Sequence, residues 1–302
     1  MNIVPRYAYA LALCVLGCAA CGPRERASNQ PGAPAGPAKE LTFTVVPYEA
    51  AEKLSEDYTP MAEYLGRRLG RRGRFLPVVD YAGVVAALQT GQVDVAYLSS
   101  FPYALATSRM KLHALAMPYV KGSLTYRGMI FVRADSPIRT LQDLAGKTMA
   151  FGDAASTSGY LLPRALLERA GVFGKLKSWR NAGSAPVVLK AVESRTDDAG
   201  AAFDNLIEMV YKDRPREAVP VRVLAYTEAI PNGIYVARGD MSSEEVEALR
   251  KAFLDMNTDP VGKAAMRRAP NDRIVPADDR MFDGVRKAAS ILGLDLTSLD
   301  RK

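Results

Sequence analysis

Phe151-Gly152-Asp153-Ala154-Ala155-Ser156-Thr157-Ser158-Gly159-Tyr160 leads from an apolar strand, expected over 148–151, through small residues into a Leu-rich helix expected over 160–170. Ser156, Thr157 and Ser158 therefore fall at a helix start, where the first backbone N–H groups have no intrahelical partner and the helix dipole favours negative charge. Convergent O–H and N–H donors of this kind suit a tetrahedral oxyanion. Taken alone, the stretch reads first as capping, because Ser and Thr are ordinary N-cap residues.

Working outward, the chain alternates strands and helices on both sides of this loop. Residues 41–47, 73–79 and 92–98 read as strands. Helices at 59–69, with Met61, Leu65 and Leu69 on one face, and at 84–88 lie between them. Parallel strands joined by right-handed crossovers are the expected outcome of this order. A strand at 129–132 and a helical turn at 140–144 follow, and the rhythm restarts at Thr148, which marks a second α/β lobe. Downstream, 221–225 and 234–236 read as strands. The next helix has Ser242 or Ser243 as its cap, Glu244 and Glu245 in its first turn, and Val246, Leu249 and Phe253 as its apolar stripe. No repeat in the solenoid range is present.

Composition narrows the chemistry. With 302 residues, 48% of them hydrophobic and 24% charged, the chain can bury one sizeable core or two smaller ones. Its net charge of +7 comes from 40 basic and 33 acidic residues that are interspersed, and aromatics make up only 8%. The charge therefore points to solubility or anion steering, and no nucleic acid partner is expected. A single histidine, His113, leaves no second imidazole for a relay or a metal site. All three cysteines, Cys14, Cys18 and Cys21, precede the body of the chain, which excludes a disulfide framework, a cysteine-ligated metal and a cysteine nucleophile there. No metal and no cofactor is expected.

Residues 1–21 read as a signal peptide: Arg6 ahead of the apolar run 7–16, then small residues around the cysteines. The run is too short for a permanent membrane helix. Val15-Leu16-Gly17-Cys18 and Cys18-Ala19-Ala20-Cys21 both resemble the lipobox of bacterial lipoproteins, each departing at one position, so Cys18 and Cys21 are the lipidation candidates, with a slight preference for Cys18. Residues 22–40, rich in Pro, Gly and Ala, read as a flexible linker between such an anchor and the body. The alternatives here are an unlipidated cleavage site and, far behind it, a redox C-x-x-C.

Several separated stretches resemble one family. FGDAASTSGYLLP, residues 151–163, is similar to the corresponding stretch of the phosphate/phosphite/phosphonate ABC-transporter substrate-binding proteins, the PhnD-like branch of the periplasmic binding proteins. Asp80-Tyr81-Ala82-Gly83-Val84-Val85-Ala86-Ala87-Leu88 followed by Gly91-Gln92-Val93-Asp94-Val95-Ala96-Tyr97 resembles that family's DYAxVVxAL…GxVDxAxxG pattern. Thr125-Tyr126-Arg127-Gly128, the stretch 141–148 and Ala201-Ala202-Phe203-Asp204 match in the same order, so that the resemblance spans about 41–296.

The resemblance implies an α/β, type II periplasmic binding protein with two lobes, 41–130 plus 225–302 and 131–224. Ligand would lie in the cleft between them, and two crossover segments near 126–133 and 221–227 would act as hinge. Carried over position by position, Ser156, Thr157 and Ser158 grip the oxyanion and Asp204 faces the cleft as an acceptor. From the first lobe, Tyr48 and the Tyr97-Leu98-Ser99 turn close over it, with Tyr126 a hydrogen-bonding neighbour at the crossover. Two departures bear on the ligand. Gly183-Ser184-Ala185-Pro186 stands where the family commonly has a glycine, serine, histidine, carboxylate segment, which argues against aminoalkylphosphonates. Leu98-Ser99 replaces an aromatic and a glycine, and the added Ser99 hydroxyl favours a small, oxygen-rich anion.

The function expected is a lipid-anchored, monomeric binding component of an ABC importer that captures phosphate, phosphite or a small phosphonate and delivers it to a permease. A periplasmic oxyanion sensor partnering a membrane histidine kinase is the alternative. An enzyme is not expected, because no G-x-S-x-G elbow, Ser-x-x-Lys pair or base accompanies the serines. Bland readings also stand. Asp204 would cap a helix beginning at Asn205, Tyr48 and Tyr126 would be packing residues, His113 would be structural, and the arginine run 67–74 would be a solvated face.

Overall fold

The computed structural model describes residues 40–269 and 271–293; the expected signal peptide, Cys18, Cys21 and the linker up to Glu40 lie outside the described residues. The chain runs β1 (Leu41–Val45), α1 (Ala51–Arg68), β2 (Gly73–Phe75), α2 (Tyr81–Gln89), β3 (Val95–Leu98), α3 (Ser100–Arg109), β4 (Leu112–Tyr119) and β5 (Thr125–Arg133). It continues with β6 (Thr148–Phe151), a π-helical turn (Thr157–Leu161), α4 (Leu162–Arg169), β7 (Ser178–Asn181), α5 (Ala185–Glu193), β8 (Ala199–Phe203) and α6 (Leu206–Tyr211). The last elements are β9 (Val221–Pro231), β10 (Ile234–Arg238), α7 (Ser243–Asp255), α8 (Pro260–Arg268), β11 (Arg273–Pro276) and α9 (Asp283–Ile291).

Two mixed sheets result, in the orders β11-β4-β10-β3-β1-β2 and β7-β6-β8-β5-β9. The expectation of parallel strands holds for β2-β1-β3 and β7-β6-β8, where helices supply the crossovers. It fails for β10, which runs antiparallel to β3 and β4, and for β5, which runs antiparallel to β8 and β9. β10 enters from the other sheet through residues 232–233 alone, a link too short to carry a crossover helix. Sheet membership also departs from the expected division at 130 and 225. β5 and β9 pair from Thr125↔Pro231 to Arg133↔Val221, so neither can change sheet part-way, and the chain passes between sheets at 120–124 and 232–233.

Alternation along the strands places apolar side chains on both faces of each sheet. Phe43, Val95 and Tyr235 pack under α1 and α7 on one face of the first sheet, while Ala96, Leu98 and Val236 pack with Val84 and Leu88 of α2 on the other. In the second sheet Met129 and Phe131 meet Val188 and Val192 of α5, and Ile130 and Val132 meet Phe151 and Leu167. A further cluster joins Phe101 and Leu105 of α3 to Leu161, Leu162 and Val285.

Local signals explain the element bounds. α7 starts on the expected cap, Ser242, whose hydroxyl accepts from Glu245 N while Glu245 reaches back, a full capping box. α1 begins eight residues before the expected start at 59 and carries Pro60 inside it, because burial of Leu54, Tyr58, Met61 and Leu65 outweighs the proline's lost hydrogen bond. The expected strand 73–79 stops at Phe75, just short of Leu76-Pro77.

Three polar features are structural. Asp94, of which only 2% is exposed, accepts from Thr42 N at 2.9 Å, Thr42 Oγ1 at 3.1 Å and Arg238 Nε at 2.9 Å, tying β1, β3 and β10 together. His113 Nε2 lies 3.2 Å from the Gly239 carbonyl, in line with its structural reading. The arginine run is largely neutralised: Arg68 pairs with Asp255, Arg71 with Glu245, and Arg74 with Glu40 at 2.8 Å. The first two pairs fasten the end of α1 and the turn after it to α7, and the third ties β2 to the residue ahead of β1.

Candidate functional site

A cleft of about 1160 Å³ opens between elements of the two sheets. From the first come Tyr48 after β1, Tyr81 at the start of α2, Tyr97 on β3 and Ser99 ahead of α3. From the second come Tyr126 on β5, Ser156, Ser158 and Gly159 of the π-helical turn, Gly183 and Ala185 at the start of α5, and Phe203 and Asp204 at the end of β8.

The hydroxyl loop does two jobs. Ser156 Oγ accepts from Gly159 N at 3.0 Å, so the capping reading holds, yet the same side chain lines the cleft beside Ser158. Thr157 goes elsewhere than expected: its Oγ1 accepts from Phe101 N at 2.8 Å, it is 1% exposed, and it is not part of the cleft wall. Successive residues of the turn point to different sides, so the middle hydroxyl fastens the loop to the first turn of α3 while its neighbours face the cleft. Gly128 permits this arrangement, since a Cβ there would sit 2.9 Å from the Ser158 carbonyl oxygen and 3.0 Å from Thr227 Cγ2.

Ser99 is the most informative of the expected residues. It occupies the N-cap position of α3 but makes no side-chain cap bond, and its buried Oγ has no hydrogen-bond partner among the described residues while its residue lines the cleft. A buried hydroxyl left unpaired costs stability unless a ligand pairs it.

The tyrosines are neutral donors. Burial pushes the Tyr126 hydroxyl up to about 12 against the opposing influence of Ser158 and Thr157, and burial likewise raises Tyr48, Tyr81 and Tyr97. Tyr48 shares a 3.1 Å hydrogen bond with Tyr58, and the Tyr97 hydroxyl accepts from Gly233 N at 3.1 Å. Tyr81, which also faces Ser156, was not singled out in the sequence, although it lies inside the matched stretch 80–88.

Asp204 does not cap a helix at Asn205; α6 starts at Leu206 with Asn205 in the cap position, and Asp204 Oδ2 accepts from Arg127 N across the sheet at 3.0 Å. Burial raises its pKa despite the bonds from backbone N–H groups. A carboxyl raised on folding favours the folded state most in its protonated form, and that contribution is lost as pH rises through the folded-state pKa. Asp204→Asn is therefore expected to melt above the parent chain at pH 7, with the margin closing as the pH falls through the carboxylate range. Thermal melts of both chains from pH 4 to 8 check this; an equal or lower melting temperature at pH 7 contradicts it.

The wall also carries charged groups that no sequence motif announced. Lys53 pairs with Asp57 at 2.6 Å and Lys121 with Glu208 at 2.5 Å. They come from three separate segments, α1, the link ahead of β5 and α6, and only folding gathers these. Among the described residues no group of three or more His, Cys, Asp or Glu side chains is placed to hold a metal ion, and no helix is long and apolar enough to cross a membrane.

Residues 43–282 match the family model described as ABC transporter, phosphonate, periplasmic substrate-binding protein. The chain belongs to this family. The phosphate-import protein PhnD of Mycolicibacterium smegmatis is 26% identical over 275 residues, covering 84% of this chain and 86% of that protein. The phosphonates-binding periplasmic protein of Escherichia coli is 26% identical over 242 residues, 76% of this chain and 70% of that protein. In fold, PhnD1 of Prochlorococcus marinus, solved in complex with methylphosphonate, superposes with a TM-score of 0.77 at 19% identity, covering 85% of this chain and 99% of the other.

The two sheets are thus those of a type II periplasmic binding protein, and the chain belongs to the phosphonate-type periplasmic substrate-binding proteins of ABC transporters. Family members of this kind take a small ligand and deliver it to a permease, and they are transport proteins, not enzymes. Within this PhnD-like protein the departure at 183–186 has a physical meaning: Gly183, at φ +87°, and the Ala185 methyl form the wall at the start of α5, where no imidazole or carboxylate stands.

Proposed function

We propose that this PhnD-like protein is a lipid-anchored receptor that captures the oxyanion group common to phosphate, phosphite and small phosphonates by closing over it two lobes, built on the two sheets that the chain links at 120–124 and 232–233. The buried Ser99 Oγ at the N-cap of α3 carries this reading, because its residue lines the cleft and the hydroxyl finds no partner among the described residues. Ser156 and Ser158 from the opposite wall and the neutral Tyr126 hydroxyl complete the donor set. Neutral hydroxyls and helix-start N–H groups hold an anion without bringing a buried cation to it. The names of two relatives, one for phosphate import and one for phosphonates, support the same ligand class. Asp204, at the end of β8, acts as an acceptor toward a protonated ligand oxygen, a role its raised pKa suits. Closure follows from ligand that makes its full set of bonds only with both walls together.

Thermal melts of the chain from Gly22 onward, with phosphate, phosphite, methylphosphonate and sulfate in turn, test the assignment. A ligand at about 100 times its Kd adds about 2.7 kcal/mol, or roughly 5–10 °C for a chain of this size. At least one phosphorus anion is expected to give such a shift and sulfate none. No shift with any phosphorus anion overturns the proposal.

The anchor is assigned to Cys18 or Cys21, each preceded by a lipobox-like stretch. One acyl-bearing N-terminal cysteine and a Pro/Gly/Ala-rich tether leave the binding body free to act as a monomer beside its permease. Replacing both cysteines by alanine is expected to move the protein from the membrane fraction to the soluble fraction. Full membrane retention of the double variant contradicts lipidation.

A further inference from the structure

Building on the oxyanion assignment, we infer that the cleft takes its phosphorus oxyanion together with a bulky, ring-bearing apolar substituent, seated on Phe203, Met209 and Tyr226. The oxyanion donors account for only a small part of the space. A bare five-atom anion fills on the order of 150 Å³ at about 30 Å³ per water-sized heavy atom, whereas the cleft measures about 1160 Å³. The two walls already meet at two places: Tyr48 stands edge-on to Phe203 at 6.5 Å, and Thr157 Oγ1 accepts from Phe101 N.

Part of the wall beyond the hydroxyls is apolar, next to the Lys121–Glu208 pair. Ala185, Ala201 and Ala202 line it, followed by Phe203. Met209 of α6 and Tyr226 of β9 line it too, 42% and 49% exposed, and they belong to the few large hydrophobics left so open among the described residues. They share one side of the second sheet: Tyr226 stands opposite Met129, whose side chain packs in the same cluster as Leu206 and Ile207 of α6. Large apolar side chains facing water inside a ligand cleft gain most when the ligand itself covers them. A ring laid on Tyr226 and against the Phe203 edge uses the geometry that aromatic pairs prefer. No carboxylate or imidazole occupies 185–186 to bind a charged substituent at that end of the wall.

Calorimetric titration with phosphate, methylphosphonate and phenylphosphonate tests this. Phenylphosphonate is expected to bind about tenfold or more tightly than methylphosphonate. Tyr226→Ser and Met209→Ser, both at exposed positions where the fold tolerates a polar side chain, should each bring that ratio toward one. Methylphosphonate or phosphate binding as tightly as phenylphosphonate overturns the apolar seat and leaves the oxyanion assignment standing. So does a ratio that neither substitution changes. If none of the three ligands binds, the oxyanion assignment fails and this inference with it.

Discussion

Asp94→Ala is expected to cost about 3 kcal/mol or more of stability, the range found when one member of a buried, hydrogen-bonded charge pair is removed. Asp94 is 2% exposed, and its two oxygens take three hydrogen bonds, from Thr42 N, Thr42 Oγ1 and Arg238 Nε. Alanine leaves the Arg238 guanidinium, only 16% exposed, with its surface partner Asp240 alone, and leaves Thr42 without an acceptor on β3's side. The expected fall in melting temperature is roughly 6–12 °C for a chain of this size. Urea unfolding followed by circular dichroism gives the number directly, and a loss under about 1 kcal/mol would show that the bridge is not what joins the three strands.

The second large effect concerns binding. In the Ser99→Ala, Ser158→Ala double variant each substitution removes a donor from an otherwise dry anion, at about 1–3 kcal/mol apiece, and together they should weaken the best phosphorus oxyanion about thirtyfold or more. Stability of the free chain is expected to respond differently. Ser99 Oγ has no partner to lose, so truncating it should leave the unliganded melting temperature unchanged or slightly raised. Loss of affinity without loss of stability marks a side chain kept for ligand. Calorimetry on the double variant and melts on Ser99→Ala alone check the two halves, and unchanged affinity removes the two serines from the site.

Much of this was legible before folding. The strand Thr148–Phe151 and the cap at Ser242 follow from local signals, a β-branched and apolar run in one case and a Ser-x-x-Glu capping box in the other. The hydroxyl loop is legible as a helix start from its residue types, and as an anion site through the family resemblance of 151–163. Four things were not. Thr157 looks identical to Ser156 and Ser158 in sequence, and only the π-helical turn decides which of the three faces α3. Asp94 sits in a stretch shared with a binding family and yet serves the sheet, because its partners Thr42 and Arg238 are 52 and 144 residues away. β5 and β9 extend beyond their apolar cores because each supplies the other's hydrogen bonds, an effect that no single-strand pattern contains. The width of the cleft is legible least of all, since Met209 and Tyr226 are separate surface residues until the sheet brings them to one side.

A crystal structure of the chain with methylphosphonate tests the central claim most directly. The account predicts a tetrahedral phosphorus group within hydrogen-bond reach of Ser99 Oγ and of Ser158 Oγ, held between the first turn of α3 and the π-helical turn. A bound phosphonate that touches neither serine, or that lies outside the cleft, would contradict it.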